Sequence, residues 1–338
     1  MYGFKRWLSC GAMIAALCSF GTGSAWAQKV VKLGHFGPGP DPFSQSVAAF
    51  AKKVEELSGG SLKVQVYPAG QLGNEKQQLG ALQGGLQELM VTATSNMTTI
   101  NEPFKLLDLP FVFSNFKEAD AVTQGPLADK LMANLPNNKL VGLALWENGF
   151  RIMTNSRRPI TKLEDFKGLK MRVISAPVFI DTFKALGTNP VPLPFPELFS
   201  ALETRTVDGQ DNPVVAVQAV KFYEVQKHLT LTNHMYGAMV VLAGKPFMDG
   251  LSDKDRATLQ RAAREFGTTQ RQMLRDAEAK SLAFLGGEGK MQIVQSLGAA
   301  ELAAIRAAVK PVVDKDVTES LRPLYGEMIE AIKKASGK

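Results

Sequence analysis

The sequence predicts an α/β protein in two lobes, with mixed sheets flanked by helices and a long helix bridging the lobes. Three observations carry this expectation. Strand-like and helix-like stretches alternate from residue 29 onward. The chain has 338 residues, enough for two domains of ordinary size. Residues 252–286 form one proline-free run rich in Ala, Arg, Glu, Gln and Leu, longer than a small domain needs.

The elements follow in order. Residues 29–36 (KVVKLGHF) read as a first strand. Phe43, Val47, Phe50, Val54 and Leu57 recur at spacings of four and three, so 42–58 is a helix with one buried face, ended by Gly59-Gly60. Residues 61–67 are a second strand closed by Pro68, 74–87 a helix and 88–94 a third strand. This β-α-β-α-β order implies a mostly parallel, doubly wound sheet. Further strands are expected at 139–146, 150–154, 169–174, 189–193, 206–210 and 233–244. Helices are expected at 117–135, 177–187, 195–204 and 213–223, with two more over 299–336. The expected lobes are 28–149 with about 237–276, and 150–236 with about 277–338.

The first 27 residues have the pattern of a cleavable signal peptide. Lys5 and Arg6 precede an apolar stretch (7–20) too short to span a bilayer, and Ala25-Trp26-Ala27 is a small-x-small cleavage site. The mature chain is expected to begin at Gln28 and to be soluble outside the cytoplasm. Cys10 and Cys18 both fall in this leader, so no thiol nucleophile, disulfide or thiolate metal site remains downstream. Removing Lys5 and Arg6 leaves 37 basic against 32 acidic residues, a net of +5 spread without a basic block. That is compatible with an anionic ligand and gives no sign of nucleic-acid binding.

Catalytic signatures are missing: no GxSxG, HExxH, P-loop or strand-linked GxGxxG occurs. The glycines of HFGPGPDP (35–42) alternate with prolines, which remove the amides that a phosphate cradle uses. His228 and His234 have no cysteine partners and fall on different elements, so no metal site and no cofactor are expected.

Two arginines stand out. Arg151 in GFRIMTNSRRPI (149–160) and Arg172 in DFKGLKMRVISAP (165–177) each interrupt an apolar run. An arginine in such a place needs either a permanent internal acid or an anionic ligand, whose carboxylate its planar fork matches. The VDGQDNP turn (207–213) adds Asn212, expected at a helix N-cap before Pro213 and able either to cap the helix or to face a ligand. In open parallel sheets, ligands bind beyond the carboxyl ends of the strands. That rule selects His35, Thr94, Ser95, Asn96, Arg151, Ser175 and Asn212. They come from both halves of the chain, which suits a cleft between lobes.

These residues sit in blocks that resemble a known family. FAKKVEELSGGSLKVQVYPAGQLGNEKQ (50–77), LLDLPFVF (106–113), GFRIMTNSRRPI, LKMRV (169–173) and VDGQDNPVVAVQAVKFYEVQKHLTLTNH (207–234) are similar to the dicarboxylate-binding (DctP) type of TRAP-transporter periplasmic solute-binding protein. The resemblance implies a two-lobe, type II-like periplasmic binding protein fold that closes over its ligand. It implies Arg172 as the carboxylate clamp and Arg151 as a second anion contact or lobe-closing residue. Ser175, Phe195 and Asn212 would line the pocket from the second lobe. His35 and the Thr94–Ser95–Asn96 turn would line it from the first, and Tyr236 would close it. The implied function is capture of a small organic acid anion by a monomer, a C4-dicarboxylate or a hydroxy, keto or aromatic monocarboxylate, and its delivery to the TRAP permease subunits without chemical change. Alternatives are service to another importer or a sensor kinase, and a secreted enzyme, which would need a nucleophile or metal.

Overall fold

A computed structural model describes residues 28–337; the expected signal peptide lies outside them. The first half runs β1 (Lys29–Gly34), α1 (Pro42–Leu57), β2 (Leu62–Tyr67), α2 (Glu75–Gln83), β3 (Leu89–Ala93), α3 (Phe116–Thr123), α4 (Pro126–Met132) and β4 (Leu140–Asn155). Then come β5 (Lys170–Val173), α5 (Pro177–Ala185), β6 (Asn189–Pro192), α6 (Leu198–Glu203), β7 (Gly209–Pro213), α7 (Val214–Ala219) and β8 (His228–Gly244). The chain ends with α8 (Lys245–Asp249), α9 (Asp253–Gly286), β9 (Gln292–Val294), α10 (Ala299–Asp316) and α11 (Arg322–Ser336).

The strand order is β2-β1-β3-β8-β4-β7-β5-β6, with β9 added beside β8. β1 pairs in parallel with β2 and β3, and β5 pairs in parallel with β6 and β7. The long antiparallel pair β4–β8 joins the two parallel groups, so the sheet is mixed. Alternation along β4 serves four cores. Leu140, Leu145 and Phe150 enter one cluster and Leu143 and Trp146 a second, on the side of β1–β3. Met153 and Ile152 enter a third and a fourth, on the side of β5–β7. A strand buried on both faces must be apolar at nearly every position, as GLALW is.

β4 is one strand of sixteen residues where two were expected. Its pairing with β8 shifts register between Glu147 and Gly149 and again between Arg151 and Met153. Gly149 takes φ +114°, outside the ordinary range of L-residues, so the chain bends there without breaking the ladder. The expected helix at 117–135 is likewise two helices, α3 and α4. Gln124 caps the first, Gly125 is extended before the second, and Pro126 at the first position of the second lacks the amide needed to continue the first.

The long helix bridges the halves as expected. Leu259, Ala262 and Leu274 of α9 pack in the core of the β1–β3 side, and Leu285 packs in a core of the other. It is pinned to the bend in β4: Arg275 reaches the fully buried Glu147 at 2.6 and 2.9 Å, and the Tyr236 hydroxyl donates to the same carboxylate at 2.9 Å. The C-terminal segment, expected with the second lobe, divides. Ile305 and Val309 of α10 pack with Phe179 and Phe183, but Met328 and Ile332 of α11 pack in the cluster of Leu131 and Leu135, beside α3. Their amphipathic spacing specifies a buried face but not which core receives it. No helix among the described residues is long and apolar enough to cross a membrane.

Candidate functional site

A cavity of about 90 Å³ lies where the two parallel groups of strands face each other. One wall comes from β4, β5, β7 and α7 and carries Arg151, Arg172, Ile174 and Asn212, with Phe195 beyond β6. The opposite wall carries Phe36, Asp41, Glu75, Thr92 and Asn96. Asn148, at the bend in β4, Met239 and Leu274 complete the lining.

The two arginines have different surroundings. Arg151 is 2% exposed, and its Nε donates to Asp211 Oδ2 at 2.5 Å. Its Nη2 donates to the Asp211 backbone oxygen, and the guanidinium lies 5.2 Å from the centroid of Phe179. His234 Nε2 approaches the same Asp211 oxygen at 3.4 Å, while its Nδ1 bonds Thr232 Oγ1 at 2.8 Å. Burial by itself raises the Asp211 pKa, but Arg151 and His234 outweigh it and hold the carboxyl well below the usual carboxylate range. Asp108 is also fully buried; desolvation pushes its carboxyl up, against the charge of Arg151. Arg151 therefore has a permanent internal acid.

Arg172 does not. It is 3% exposed, and its Nε and Nη2 both donate to the backbone oxygen of Leu193, at 2.9 and 2.7 Å. No carboxylate of the described residues comes within 4.0 Å of it. The Phe195 ring lies 6.0 Å from the guanidinium carbon. Burial lowers its pKa to about 10, with Asp211 opposing and Arg151 adding to the effect. A buried cation satisfied only by a carbonyl is costly, and an arriving carboxylate removes that cost.

Asn212 lies inside β7 rather than at a helix N-cap. β7 covers 209–213, not 206–210, and Pro213 holds the cap position before α7. Gly209 permits this register, because a Cβ there would sit 2.3 Å from the Thr154 backbone oxygen of β4. Asn212 Nδ2 donates to Gln210 Oε1, Gln210 Nε2 to Thr154 Oγ1 at 2.9 Å, and Thr154 Oγ1 to Gln226 at 3.0 Å. This buried chain fixes the Asn212 amide on the cavity wall.

Of the ten residues expected to contact ligand, Arg151, Arg172, Phe195, Asn212 and Asn96 lie on the cavity wall. Five do not. Ser175 is exposed: β5 places Arg172 on the cavity side, alternation brings Ile174 to that face two residues on, and Ser175 turns away. Tyr236 points into the apolar cluster against Phe113 and Phe150, where its hydroxyl is held by Glu147. Thr94 donates to the Ala238 backbone at 3.3 Å, and Ser95 is buried in the same 3-10 turn. His35 is buried behind Phe36; its Nδ1 accepts the Gly37 amide at 3.1 Å, and desolvation lowers its pKa to about 4 against the pull of Asp41. Glu75, Asp41 and Asn148 on the wall, and Asp211 behind it, were not anticipated. Asp41-Pro42 was legible as a helix start, but which way a carboxylate faces is not a local property.

Comparison with known proteins agrees with this architecture. The model of the bacterial extracellular solute-binding protein family 7 (DctP) matches residues 33–320. The 2,3-diketo-L-gulonate-binding periplasmic protein of Escherichia coli K12 is 37% identical over 277 residues, covering 81% of this chain and 84% of that one. The C4-dicarboxylate-binding periplasmic protein of Rhodobacter capsulatus is 33% identical over 308 residues, with 91% of each covered. The crystal structure of a sugar acid binding protein from Advenella mimigardefordensis in complex with galactonate superposes with a TM-score of 0.87 at 38% identity, covering 91% of this chain and 99% of that one. A TRAP periplasmic solute-binding protein from Polaromonas sp. JS666 bound to D-erythronate gives 0.84 at 34%, covering 90% and 98%. Fold, cleft and sequence together place the chain in family 7 of the bacterial extracellular solute-binding proteins, the DctP family of two-lobed TRAP periplasmic binding proteins for small organic acids.

Proposed function

We propose that the protein captures a small organic acid in the periplasm through an Arg172–carboxylate clamp and hands it unchanged to a TRAP permease. The observation that carries this reading is the buried Arg172 guanidinium, which faces the cavity and has no acid within ion-pair distance. A bidentate carboxylate supplies both the missing charge and the acceptors the guanidinium lacks. Phe195 covers the guanidinium from one side, and Asn212 offers an amide beside it.

The placement of the walls supports closure over the ligand. The arginines come from β4 and β5, while Phe36, Asp41 and Asn96 come from the β1–β3 side, so a bound acid touches both. It favours the closed form only to the extent that it binds that form better. Water exclusion then lowers the local dielectric and strengthens the clamp. The bend in β4 at Gly149 and its register shifts against β8 supply the hinge. No step in this cycle alters the ligand.

The test is a thermal-shift screen against organic acids, followed by calorimetry with Arg172→Ala. The account expects at least about a hundredfold loss of affinity in the variant, an unchanged circular dichroism spectrum, and recovery of the acid unaltered by mass spectrometry. Unchanged affinity in the variant would remove the clamp; conversion of the acid would remove the binding-only reading.

A further inference from the structure

The charges on the cavity wall are segregated. Among the described lining residues the cations are Arg151 and Arg172, both from the β4–β5 side. The acids are Asp41 and Glu75, both from the opposite side. Arg151 is already matched by Asp211, which leaves Arg172 as the one cation able to take a ligand charge. No lining residue on the far wall is basic.

A second ligand carboxylate could otherwise settle on a helix N-terminus, and α1 and α2 both begin at this wall. Both ends are filled. Asp41 caps α1, its Oδ1 accepting the Phe43 and Ser44 amides at 2.9 and 3.1 Å and its Oδ2 the Ser44 hydroxyl. Asn74 caps α2 in a reciprocal box with Gln77, and Glu75 occupies its first turn. Glu75 also reaches across the cleft, its Oε1 3.4 Å from the Phe195 amide, and its charge acts on Arg172. The polar lining residues Thr92, Asn96 and Asn148 are neutral hydroxyls and amides that can both donate and accept. Asn96 Nδ2 donates to Thr92 Oγ1 at 3.1 Å, which sets the amide's orientation.

From this arrangement we infer that the site selects by charge, taking hydroxy-monocarboxylates and rejecting dicarboxylates of the same carbon skeleton. The inference rests on Arg172 as the clamp. The bound acid presents its carboxylate to Arg172 and its hydroxyls to Asn96, Asn148 and Thr92. Oxidising the terminal CH2OH to a carboxylate would bring a second negative charge into a cavity whose other charged lining residues, Glu75 and Asp41, are both acidic, with no further lining cation to answer it. Glu75 is the specificity-determining residue: Asp41 is committed to its helix, whereas Glu75 has one long hydrogen bond.

The experiment is calorimetry with matched aldonic and aldaric acids of four, five and six carbons, on the wild-type chain, Glu75→Gln and Arg172→Ala. In the wild type the aldonate of at least one length binds, and its aldarate binds at least about a hundredfold more weakly. In Glu75→Gln the ratio of the two affinities narrows at least tenfold, whichever way the aldonate itself moves. An aldarate within tenfold of its aldonate in the wild type overturns the inference while leaving the clamp intact, and so does an unchanged ratio in Glu75→Gln. Aldonate binding that survives in Arg172→Ala overturns the clamp, and the charge-selection inference falls with it. Failure of every acid to bind the wild type overturns both.

Discussion

Arg151 and Arg172 stand on strands of one sheet, both buried to within 3% and both on the wall of one cavity. The first is bound through Nε and Nη2 to Asp211, which His234 also approaches. The second is bound to a carbonyl oxygen alone. A buried arginine has two ways to be satisfied, an acid of its own chain or an acid from outside; Arg151 uses the first, and the proposal assigns the second to Arg172. The contrast separates a guanidinium paired with an internal carboxylate from one held by a carbonyl, the one to which the proposed clamp is assigned, although in sequence both are arginines in apolar strands.

The largest effect should come from breaking the internal pair. Asp211→Ala leaves Arg151 and His234 without their carboxylate, and a destabilisation of about 3–5 kcal/mol is expected in urea unfolding. Replacing the pair together, Arg151→Met with Asp211→Leu, should recover much of that loss, since well-packed apolar groups often substitute for a buried ion pair. A double variant no more stable than Asp211→Ala would mean that Asp211 acts through its hydrogen bonds and not its charge.

A pH effect of similar size belongs to His35, which is buried without a charge. Its pKa is lowered from about 6.5 to about 4 by burial, so the unfolded chain takes up the proton first on acidification. The stability gained from keeping it neutral is complete above pH 6.5 and is lost as pH falls toward 4, by about 3 kcal/mol in all. His35→Asn should flatten unfolding curves between those limits; an unchanged slope would place the acid sensitivity elsewhere.

Smaller effects refine the ligand side of the comparison. Arg172→Lys keeps the charge but not the planar fork, and should weaken binding about tenfold or more while remaining better than Arg172→Ala in calorimetry. Phe195→Ala removes the ring 6.0 Å from the guanidinium and should cost about 0.5–1 kcal/mol of ligand affinity with little change in unfolding.

Much of this fold was legible from periodicity. Leu33, Val47, Phe50 and Val54 are fully buried, on the first strand and the first helix read from the sequence, and the long helix runs from Asp253 to Gly286 where 252–286 was expected. What was not legible depends on pairing between distant strands. Asp211 meets Arg151 from 60 residues away, through a β4–β7 ladder that opposes Asp211 to Met153. A shift of three residues in the placement of β7 moved Asn212 from a presumed cap into a strand. Two of the expected lining residues stand off the wall for different reasons: Ser175, read from a strand end, yields the cavity face to Ile174 by alternation, and Tyr236, implied by the resemblance, has its partner in Glu147 behind the wall. Arg172 itself was read from its own neighbours, because an arginine amid LKMRV poses its question locally.

The claim that Arg172 is held open for a ligand carboxylate is tested most directly by equilibrium unfolding of the wild type and Arg172→Met, each with and without the hydroxy-acid that the screen selects. Without ligand, the variant should be at least as stable as the wild type, because it no longer buries an unmatched charge. With ligand at 100 times its dissociation constant, the wild type should gain about 2.7 kcal/mol and the variant nothing measurable. A variant that unfolds several kcal/mol more easily without ligand, yet is stabilised by the acid as much as the wild type, would show that Arg172 serves the fold and that the carboxylate is bound elsewhere.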